Sequence, residues 1–322
     1  MKPKVFIARP IPQEVEEYIA GYCDVEKWSG EETIPREELL KAVHSVDGLL
    51  ITGGKIDDEL LDHAPQLKIV SNISVGYNNF DLDAMKRRGV LGTHTPYVLD
   101  DTVADLVLGL MLASARRIPE LDQYVKQGKW RRGDDEIFFG ADVHHATLGI
   151  IGMGRIGEAI AKRARFGFDM KVLYSNRNRK QEAEQQLGVI YETMEGLLKQ
   201  SDFVVLMTPL TPETTRLIGK EQFSMMKRSA IFINVSRGKN VDEQALIEAL
   251  ETGTIRGAGL DVFENEPVPV DSPLLGMPQV VTLPHIGSST AKTRLDMARV
   301  AAENLTKGVL GEMPPNLVKE LI

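Results

Sequence analysis

Three charged side chains in the second half of the sequence have the types needed for proton transfer beside a bound carboxylate. Arg237 follows the predicted strand Ala230–Val235, and His285 follows the predicted strand Val280–Leu283. Glu266 lies between them in an acidic stretch. A guanidinium binds a carboxylate through two hydrogen bonds, and an imidazole accepts or donates a proton near neutral pH. Because open parallel sheets place their sites at the carboxyl ends of strands, these residues predict reduction of a 2-keto acid, with His285 as proton donor.

Each of these residues also has a structural interpretation. Arginines commonly form ion pairs, acidic residues after a strand commonly cap helices or contact solvent, and single histidines are commonly structural. Asp261, Glu264 and Glu266 all lie in the stretch Gly259–Pro267. We select Glu266 as the partner of the imidazole. A carboxylate on one ring nitrogen fixes the tautomer and favours the imidazolium.

A glycine motif typical of dinucleotide binding follows an apolar run. The segment Leu148–Gly157 reads LGIIGMGRIG and places Gly152, Gly154 and Gly157 between a predicted strand and a predicted helix. The first glycine permits a tight turn, the second lets the backbone approach a pyrophosphate, and the third lets helix and strand pack closely. Free N–H groups at the positive end of the helix dipole then bind the pyrophosphate. A glycine-rich turn without a ligand is the alternative.

The residues after the next predicted strand distinguish between the two nicotinamide dinucleotides. NAD-specific folds usually carry a carboxylate there, which binds the ribose 2′-hydroxyl. In this sequence Tyr174 is followed instead by Ser175, Asn176 and Arg177. A guanidinium binds a 2′-phosphate well, whereas a carboxylate repels it. We therefore predict that NADP(H) is preferred and that NAD(H) is possible; the alternative is that the basic residues only contact solvent.

Alternating predicted strands and helices indicate an α/β fold with parallel sheets. One series of such units covers the first hundred residues, and a second runs from Thr147 to about Leu283. Units of this length imply sheets with helices on both faces. We predict two doubly wound parallel-sheet domains. A Rossmann dinucleotide-binding domain at residues 98–286 is inserted in a flavodoxin-like substrate domain at residues 1–97 plus 287–322.

Three segments lie between the two series. The helix predicted at Val98–Arg117 is apolar over much of its surface, which is typical of a domain core that also contributes to a subunit interface. A more polar helix is predicted at Pro119–Trp130. The stretch Arg131–His145 is predicted to be a long loop, and such loops are often functional. Its Phe138 and Phe139 either cover a site or partner subunit, or anchor the loop locally.

Composition restricts the class of protein further. A chain of 322 residues is longer than a single hydrophobic core usually supports, which suggests two domains. The net charge of −8 argues against a nucleic-acid-binding surface. The single Cys23 excludes an intramolecular disulfide and fits a reducing cytosol. The N-terminus lacks the apolar run of a signal peptide, and the apolar segment Val103–Ala115 is too short to cross a bilayer. We expect a cytoplasmic protein with no nucleic-acid or membrane partner.

Several motifs together resemble the D-isomer-specific 2-hydroxyacid dehydrogenase family over nearly the whole chain. They are Ser74–Asn78, Gly152–Gly157, Met207–Thr214, Asn234–Gly238, Gly257–Pro267 and Leu283–Ser288. Within that family the sequence is most similar to the glyoxylate/hydroxypyruvate reductases, because the Tyr174–Arg177 segment lacks an acidic residue and the segment PHIGSST is also similar. The resemblance implies NAD(P)-dependent chemistry on a small 2-keto or 2-hydroxy acid and a homodimer.

The resemblance also implies roles for individual residues. Arg237, Glu266 and His285 match the catalytic residues of the family. Substrate-binding candidates are Ser74, Val75, Gly76, Arg237 and His285. The cofactor-binding candidates from the motifs and the resemblance together are Thr102, Gly152, Gly154, Arg155, Ile156, Gly157, Ser175, Asn176, Arg177, Thr208, Pro209, Thr214, Val235, Ser236, Asp261 and Gly287. No metal site is predicted.

The leading hypothesis is an oxidoreductase that reduces glyoxylate and hydroxypyruvate to glycolate and D-glycerate by hydride transfer from NADPH. One alternative is a gluconate 2-dehydrogenase, which acts on 2-ketogluconate, or another D-2-hydroxyacid dehydrogenase, because the same residues serve all of these substrates. A further alternative is a dinucleotide-sensing protein that resembles a corepressor. That role does not require a complete set of Arg, Glu and His.

Overall fold

The computed structural model describes residues 2–30 and 32–321, and the chain divides into two compact units. One unit comprises Met1–Leu99 with Ser289–Ile322, and the other comprises Asp100–Ser288. The assignment of a substrate role to residues 1–97 plus 287–322, and of a cofactor role to residues 98–286, stays a prediction.

The first unit is a five-stranded parallel sheet covered by helices. Its elements are β1 (Lys4–Ile7), α1 (Gln13–Tyr22), β2 (Asp24–Lys27), α2 (Arg36–Ala42), β3 (Gly48–Ile51), α3 (Asp58–His63), β4 (Ile69–Asn72), α4 (Leu82–Arg88), β5 (Leu91–Thr93), α12 (Ala291–Val309) and a 3₁₀ turn at Lys319–Leu321. The strand order is β2-β1-β3-β4-β5, which is the flavodoxin-like order. Strands β3 and β4 are buried along their whole length because helices cover both faces.

Helix α12 returns the end of the chain to this first sheet. Its buried face is lined by small side chains that include Ala298, Ala301 and Ala302. At Gly308 an added Cβ would lie 2.3 Å from the side chain of Ile69 in β4. Because no larger residue fits there, the glycine allows the helix to lie directly against the strand.

The second unit is a seven-stranded parallel sheet. Its elements are α5 (Asp100–Ala115), α6 (Ile118–Lys126), β6 (Thr147–Ile151), α7 (Arg155–Phe168), β7 (Lys171–Ser175), α8 (Gln181–Leu187), β8 (Ile190–Tyr191), α9 (Met194–Gln200), β9 (Phe203–Leu206), α10 (Lys220–Met225), β10 (Ile231–Asn234), α11 (Glu243–Glu251), β11 (Gly257–Leu260) and β12 (Val280–Thr282). The strand order is β12-β11-β10-β9-β6-β7-β8. Strand β6 lies between the two halves of the sheet, as in Rossmann folds. The two strand orders confirm the predicted fold class.

The structure differs from the predicted elements in a few places. Strand β8 and helix α9 were not predicted, because β8 is a pair of exposed residues and Gly196 interrupts the helical pattern of α9. Helix α6 ends at Lys126 rather than at Trp130, since Gly128 adopts a left-handed φ of 67°. The predicted loop Arg131–His145 contains a 3₁₀ turn at Glu136–Phe138.

The long apolar helix α5 belongs to the core of its own unit. Its buried residues are Val103, Ala104, Val107, Leu108, Leu110, Met111 and Ala115. Several of the exposed apolar side chains lie in the segment that follows α5, at Ile118, Val125, Trp130, Ile137 and Phe139. Phe138 packs edge-on against Tyr124, so this half of the phenylalanine pair anchors the segment locally. Among the residues described, the structure contains no helix long and apolar enough to span a membrane.

Candidate active site

The glycine motif forms the turn between β6 and α7. Gly152 has a φ of 103°, and a Cβ there would lie 2.7 Å from the backbone of Met207. A Cβ on Gly157 would lie 2.7 Å from the carbonyl oxygen of Gly152, whereas one on Gly154 would meet nothing within 4 Å. Packing therefore excludes a side chain at Gly152 and at Gly157. At Gly154 the absence of a side chain leaves the backbone open to a ligand. The open backbone at the N-terminus of α7 fits a pyrophosphate group.

Asn176 joins this turn to the loop that follows β7. Its side-chain Oδ1 accepts a 2.7 Å hydrogen bond from the N–H of Met153, and its Nδ2 donates to the carbonyl of Met153 at 3.1 Å. Both ends of the amide are thus used by one residue of the glycine turn. The sequence suggested that Asn176 contacts the cofactor. In the structure its amide joins the glycine turn to the loop after β7, and nothing local in the sequence indicated this partner.

The basic cluster after β7 is divided between structural and free cations. Arg179 donates two hydrogen bonds to Glu184, at 2.7 and 2.8 Å. The hydroxyl of Tyr174 donates to the same carboxylate and accepts the N–H of Lys180, both at 2.7 Å. Arg177, by contrast, forms no hydrogen bond or ion pair within residues 2–30 and 32–321. It is therefore the guanidinium of this cluster that remains open to a ligand.

The loop after β9 contains three more of the predicted cofactor residues, Thr208, Pro209 and Thr214. The hydroxyl of Thr214 donates to the carbonyl of Pro209 at 2.6 Å, so these two residues close one turn. Asn240 donates to the carbonyl of Thr208 at 2.8 Å. Arg155, at the start of α7, forms a 3.0 Å ion pair with Asp100. The side chain of Arg155 thus has a protein partner, while its backbone belongs to the glycine turn.

Arg237 is held in an extended conformation directly after β10. Asn234, the last residue of the strand, accepts hydrogen bonds from the N–H and the hydroxyl of Ser236, at 3.0 and 2.8 Å. Its amide donates to the carbonyl of Arg237 at 3.2 Å. A Cβ at Gly238 would lie 1.8 Å from the backbone of Phe263, so the chain passes against the next loop there. The turn is therefore fixed on both sides of Arg237.

The environment of Arg237 favours an anionic ligand. Burial lowers the pKa of its guanidinium, and the charge of Glu266 partly opposes this effect. A cation that is poorly hydrated gains more from a bound carboxylate than an exposed one does. The sequence did not identify Asn234 as the residue that positions this arginine, although its location at the end of a strand was a usable signal.

Glu266 and His285 form a hydrogen-bonded pair. Oε2 of Glu266 lies 2.8 Å from Nδ1 of His285, and Oε1 accepts the N–H of Phe263 at 3.1 Å. Burial raises the pKa of Glu266, but the hydrogen bond and charge of His285 outweigh it, so the pKa is lowered overall. Glu266 is therefore ionised at neutral pH. Its position leaves Nε2 of the imidazole available for proton transfer.

Asp261 supports the backbone that carries His285. His285 has a left-handed φ of 52°, which costs a non-glycine residue about 1–2 kcal/mol. The Asp261 carboxylate accepts the N–H groups of Ile286 at 2.7 Å and Gly287 at 2.8 Å, and these charge-assisted bonds offset that cost. Burial raises the pKa of Asp261, and the two N–H groups and His285 oppose the rise. The hydrogen bonds show that Asp261 positions the turn, and the cofactor contact that the sequence suggested for it stays a prediction.

Two other predicted cofactor residues lie against the same turn. A Cβ on Gly287 would lie 3.3 Å from Asp261 and 3.7 Å from the side chain of Val235. The structure thus brings Val235, Asp261 and Gly287 together. Thr102 lies in the first turn of α5.

In the first unit, Ser74, Val75 and Gly76 form the loop after β4. Their carbonyl oxygens accept hydrogen bonds from the N–H of Thr95, from Nδ1 of His94 and from Nδ2 of Asn72, each at 2.9 Å. The hydroxyl of Ser74 donates to the carbonyl of Gly76. This hydroxyl therefore already has a backbone partner. Among the described residues, no group of three or more His, Cys, Asp or Glu side chains is arranged to hold a metal.

Comparison with known proteins identifies relatives over nearly the whole chain. The profile described as "D-isomer specific 2-hydroxyacid dehydrogenase, NAD binding domain" matches residues 108–287. Glyoxylate/hydroxypyruvate reductase B of Yersinia pestis is 48% identical over 318 residues, which cover 99% of this chain and 98% of that protein. A crystal structure from Thermus thermophilus has a TM-score of 0.91 at 44% identity and covers 98% of this chain and 99% of that one. The NADPH-dependent glyoxylate/hydroxypyruvate reductase of Sinorhizobium meliloti, in complex with NADP and malonate, has a TM-score of 0.87 at 32% identity, with 100% and 98% covered.

The strand order, the glycine turn and these matches define an oxidoreductase with an NAD(P)-binding domain. The chain belongs to the D-isomer specific 2-hydroxyacid dehydrogenase family. Both the resemblance inferred from the motifs and the prediction of an enzyme are confirmed.

Proposed function

We propose that the protein reduces glyoxylate and hydroxypyruvate to glycolate and D-glycerate, with NADPH as the preferred cofactor. The observation that carries the proposal is the 2.8 Å pair of Glu266 and His285 on the same sheet as the half-buried cation Arg237. The names of the Yersinia and Sinorhizobium relatives support this choice of substrates, and the second also supports NADPH.

Each protein group has a defined part in the proposed reaction. When bound, NADPH supplies the hydride that reduces the keto carbon. Arg237 binds the substrate carboxylate through its guanidinium. His285 donates a proton from Nε2 to the carbonyl oxygen as negative charge develops there. Glu266, ionised and bonded to Nδ1, fixes the ring and stabilises the imidazolium before the proton leaves.

The remaining site residues are proposed from the motifs and their placement. Val75 and Gly76 bind the substrate carboxylate through backbone N–H groups, beside Ser74. Arg155, Ile156 and the glycines bind the pyrophosphate, and Ser175 and Arg177 bind the adenosine ribose and its 2′-phosphate. The other proposed cofactor contacts are Thr102, Asn176, Thr208, Pro209, Thr214, Val235, Ser236, Asp261 and Gly287.

The substrate proposal is tested by steady-state kinetics on the purified protein with NADPH. We expect glyoxylate and hydroxypyruvate to give higher kcat/KM values than 2-ketogluconate. A marked preference for 2-ketogluconate would overturn this ranking while leaving the reaction type intact. No NADPH oxidation with any 2-keto acid would instead favour the dinucleotide-sensing alternative.

The cofactor preference has its own expected result. Arg177→Asp should lower kcat/KM for NADPH by about 10- to 100-fold, because a charge-assisted contact to the 2′-phosphate is replaced by repulsion. The value for NADH should fall little or rise. Arg228→Asp makes the same charge change before the amino end of β10, whereas Arg177 follows the carboxyl end of β7, so it should leave the ratio unchanged. Wild-type enzyme that uses NADH as well as or better than NADPH would contradict the proposal.

The direction of the pH dependence follows from the proton donor. We expect the reductive rate to fall as pH rises, because reduction takes up a proton through the imidazole, and the oxidative rate to rise over the same range, because oxidation releases one. The lowered pKa of Glu266 keeps this group a carboxylate throughout that range, so it does not add a second limb near neutrality. Glu266→Gln removes the charge that favours the imidazolium and should move the reductive limb to lower pH. Profiles that are flat in both directions, with chemistry limiting the rate, would exclude this role for His285.

We also propose that the enzyme is a cytoplasmic homodimer. The exposed apolar side chains of Ile118, Val125 and Phe139, which follow α5, support an interface near that helix. The lone Cys23 is buried and reduced, which fits the cytosol. Light scattering after size exclusion should give twice the mass of one chain, and a mass of 35.7 kDa would contradict the dimer.

A further inference from the structure

We propose that His94 is a positioning residue that sets the direction of a backbone N–H group in the substrate-binding loop Ser74–Gly76. This inference rests on the proposed function, in which Val75 and Gly76 bind a keto-acid carboxylate through N–H groups. His94 lies just after β5, the neighbour of β4, and β4 leads into the loop. Because the two strands are parallel, the segments that follow them are adjacent.

The carbonyl side of the loop is fully engaged. The N–H of Thr95 donates to the carbonyl of Ser74, and Nδ1 of His94 donates to the carbonyl of Val75, both at 2.9 Å. Asn72 donates to the carbonyl of Gly76 at 2.9 Å. Three consecutive carbonyl groups are therefore directed toward the protein.

The N–H side of the same loop has no such partners. Within residues 2–30 and 32–321, the N–H groups of Ser74, Val75 and Gly76 find no hydrogen-bond acceptor. All three residues are half-buried rather than exposed. Unpaired backbone donors in such a setting are costly unless water or a ligand accepts from them. A carboxylate is the strongest acceptor available to neighbouring N–H groups.

Peptide planarity connects the two sides. In a trans peptide the carbonyl of one residue and the N–H of the next point in opposite directions. The bond from His94 to the carbonyl of Val75 therefore fixes where the N–H of Gly76 points. In the same way, Thr95 fixes the N–H of Val75 through the carbonyl of Ser74. His94 is the one of these two donors that acts through its side chain, so it can be replaced without changing the backbone.

The imidazole of His94 is itself held in place from several directions. Its ring packs edge-on against Tyr77, with centroids 5.3 Å apart, and the hydroxyl of Tyr77 donates to Glu320. The backbone of His94 donates to the carbonyl of Asn316 and accepts from the amide of Asn304. To donate to a carbonyl, Nδ1 must carry the proton. The ring is thus a rigid donor rather than a flexible surface group.

Two substitutions separate the donor from the ring. His94→Phe keeps an aromatic ring against Tyr77 but removes the donor, whereas His94→Asn keeps an N–H donor near the position of Nδ1 but removes the ring. We expect His94→Phe to raise KM for glyoxylate about tenfold, the value of one hydrogen bond, with a much smaller change in kcat. His94→Asn should restore most of the loss. The dissociation constant for NADPH, measured by fluorescence, should stay near wild type in both variants.

The outcomes distinguish this proposal from the proposed function. Oxalate, a dicarboxylate that cannot be reduced, is titrated into wild type and both variants by calorimetry, and its dissociation constant should rise only in His94→Phe. Equal oxalate affinities in all three proteins would overturn the role of His94 while the reductase activity stands. Equal weakening in Phe and Asn variants would show that the ring, not the donor, matters, and would also overturn it. A wild type that binds oxalate but reduces no keto acid would refute only the proposed function, and one that does neither would refute both.

Discussion

His285→Ala is expected to lower kcat for glyoxylate reduction by a factor of about 10²–10⁴, the range typical of a lost general acid. The proton is needed in the transition state, so KM should change far less than kcat. The structural basis is the orientation of the ring: Glu266 takes Nδ1 at 2.8 Å, and Nε2 is left for the substrate oxygen. Steady-state kinetics at saturating NADPH measure both constants.

Two variants serve as controls for this result. Glu266→Gln keeps a hydrogen-bond acceptor but removes the charge, so it should cost less than His285→Ala, about 10- to 100-fold in kcat. His44→Ala removes an exposed imidazole in the first unit and should leave both constants unchanged. A His285→Ala enzyme that retains wild-type kcat would remove this residue from the mechanism.

Arg237→Ala is expected to lower kcat/KM by about 10³-fold or more, through a higher KM and a lower kcat together. The guanidinium binds the carboxylate in the ground state and aligns the carbonyl for the transition state, so both constants depend on it. The effect should be large because this cation is half-buried, and the desolvation that lowers the pKa of Arg237 also strengthens its attraction for an anion. Its loss removes the counter-charge that the substrate anion would have at this position.

The lysine variant tests the shape of the group as well as its charge. Arg237→Lys retains the cation but has no planar fork of donors, so we expect it to recover only part of the activity. Circular dichroism and thermal melting should show that both variants fold, because the turn is held by Asn234 and by the packing of Gly238 rather than by the arginine head group. If Arg237→Ala changes neither KM nor kcat, the substrate carboxylate is bound elsewhere.

The fold could be predicted because its signals are local. Buried parallel strands such as Phe203–Leu206 and Ile231–Asn234 are continuous apolar runs, and the helices between them have a clear periodicity. The elements that escaped prediction are those with weak local patterns. Strand β8 depends on its pairing with β7, and α9 depends on packing that outweighs its internal glycine. Neither contact is visible in the sequence of the element itself.

In the candidate site, too, the features with a local signal could be predicted and those that depend on distant contacts could not. The types of Arg237, Glu266 and His285 indicated the chemistry, since few other side chains bind a carboxylate or exchange a proton near neutral pH. The three glycines likewise indicated a tight turn between a strand and a helix. The sequence did not predict which polar side chains form hydrogen bonds within the protein. The side chains of Asn176 and Asp261 both form hydrogen bonds with the protein backbone.

By itself, therefore, the sequence determined the α/β class, the family and the residues able to perform the reaction. Only the tertiary structure decided which polar groups are left for ligands. The reason is that hydrogen bonds are satisfied between residues distant in the chain: Asp261 holds an N–H 25 residues away, and His94 holds a carbonyl 19 residues away. Those partnerships form when strands align, and they leave Arg177, Nε2 of His285 and the N–H groups of the Ser74–Gly76 loop available.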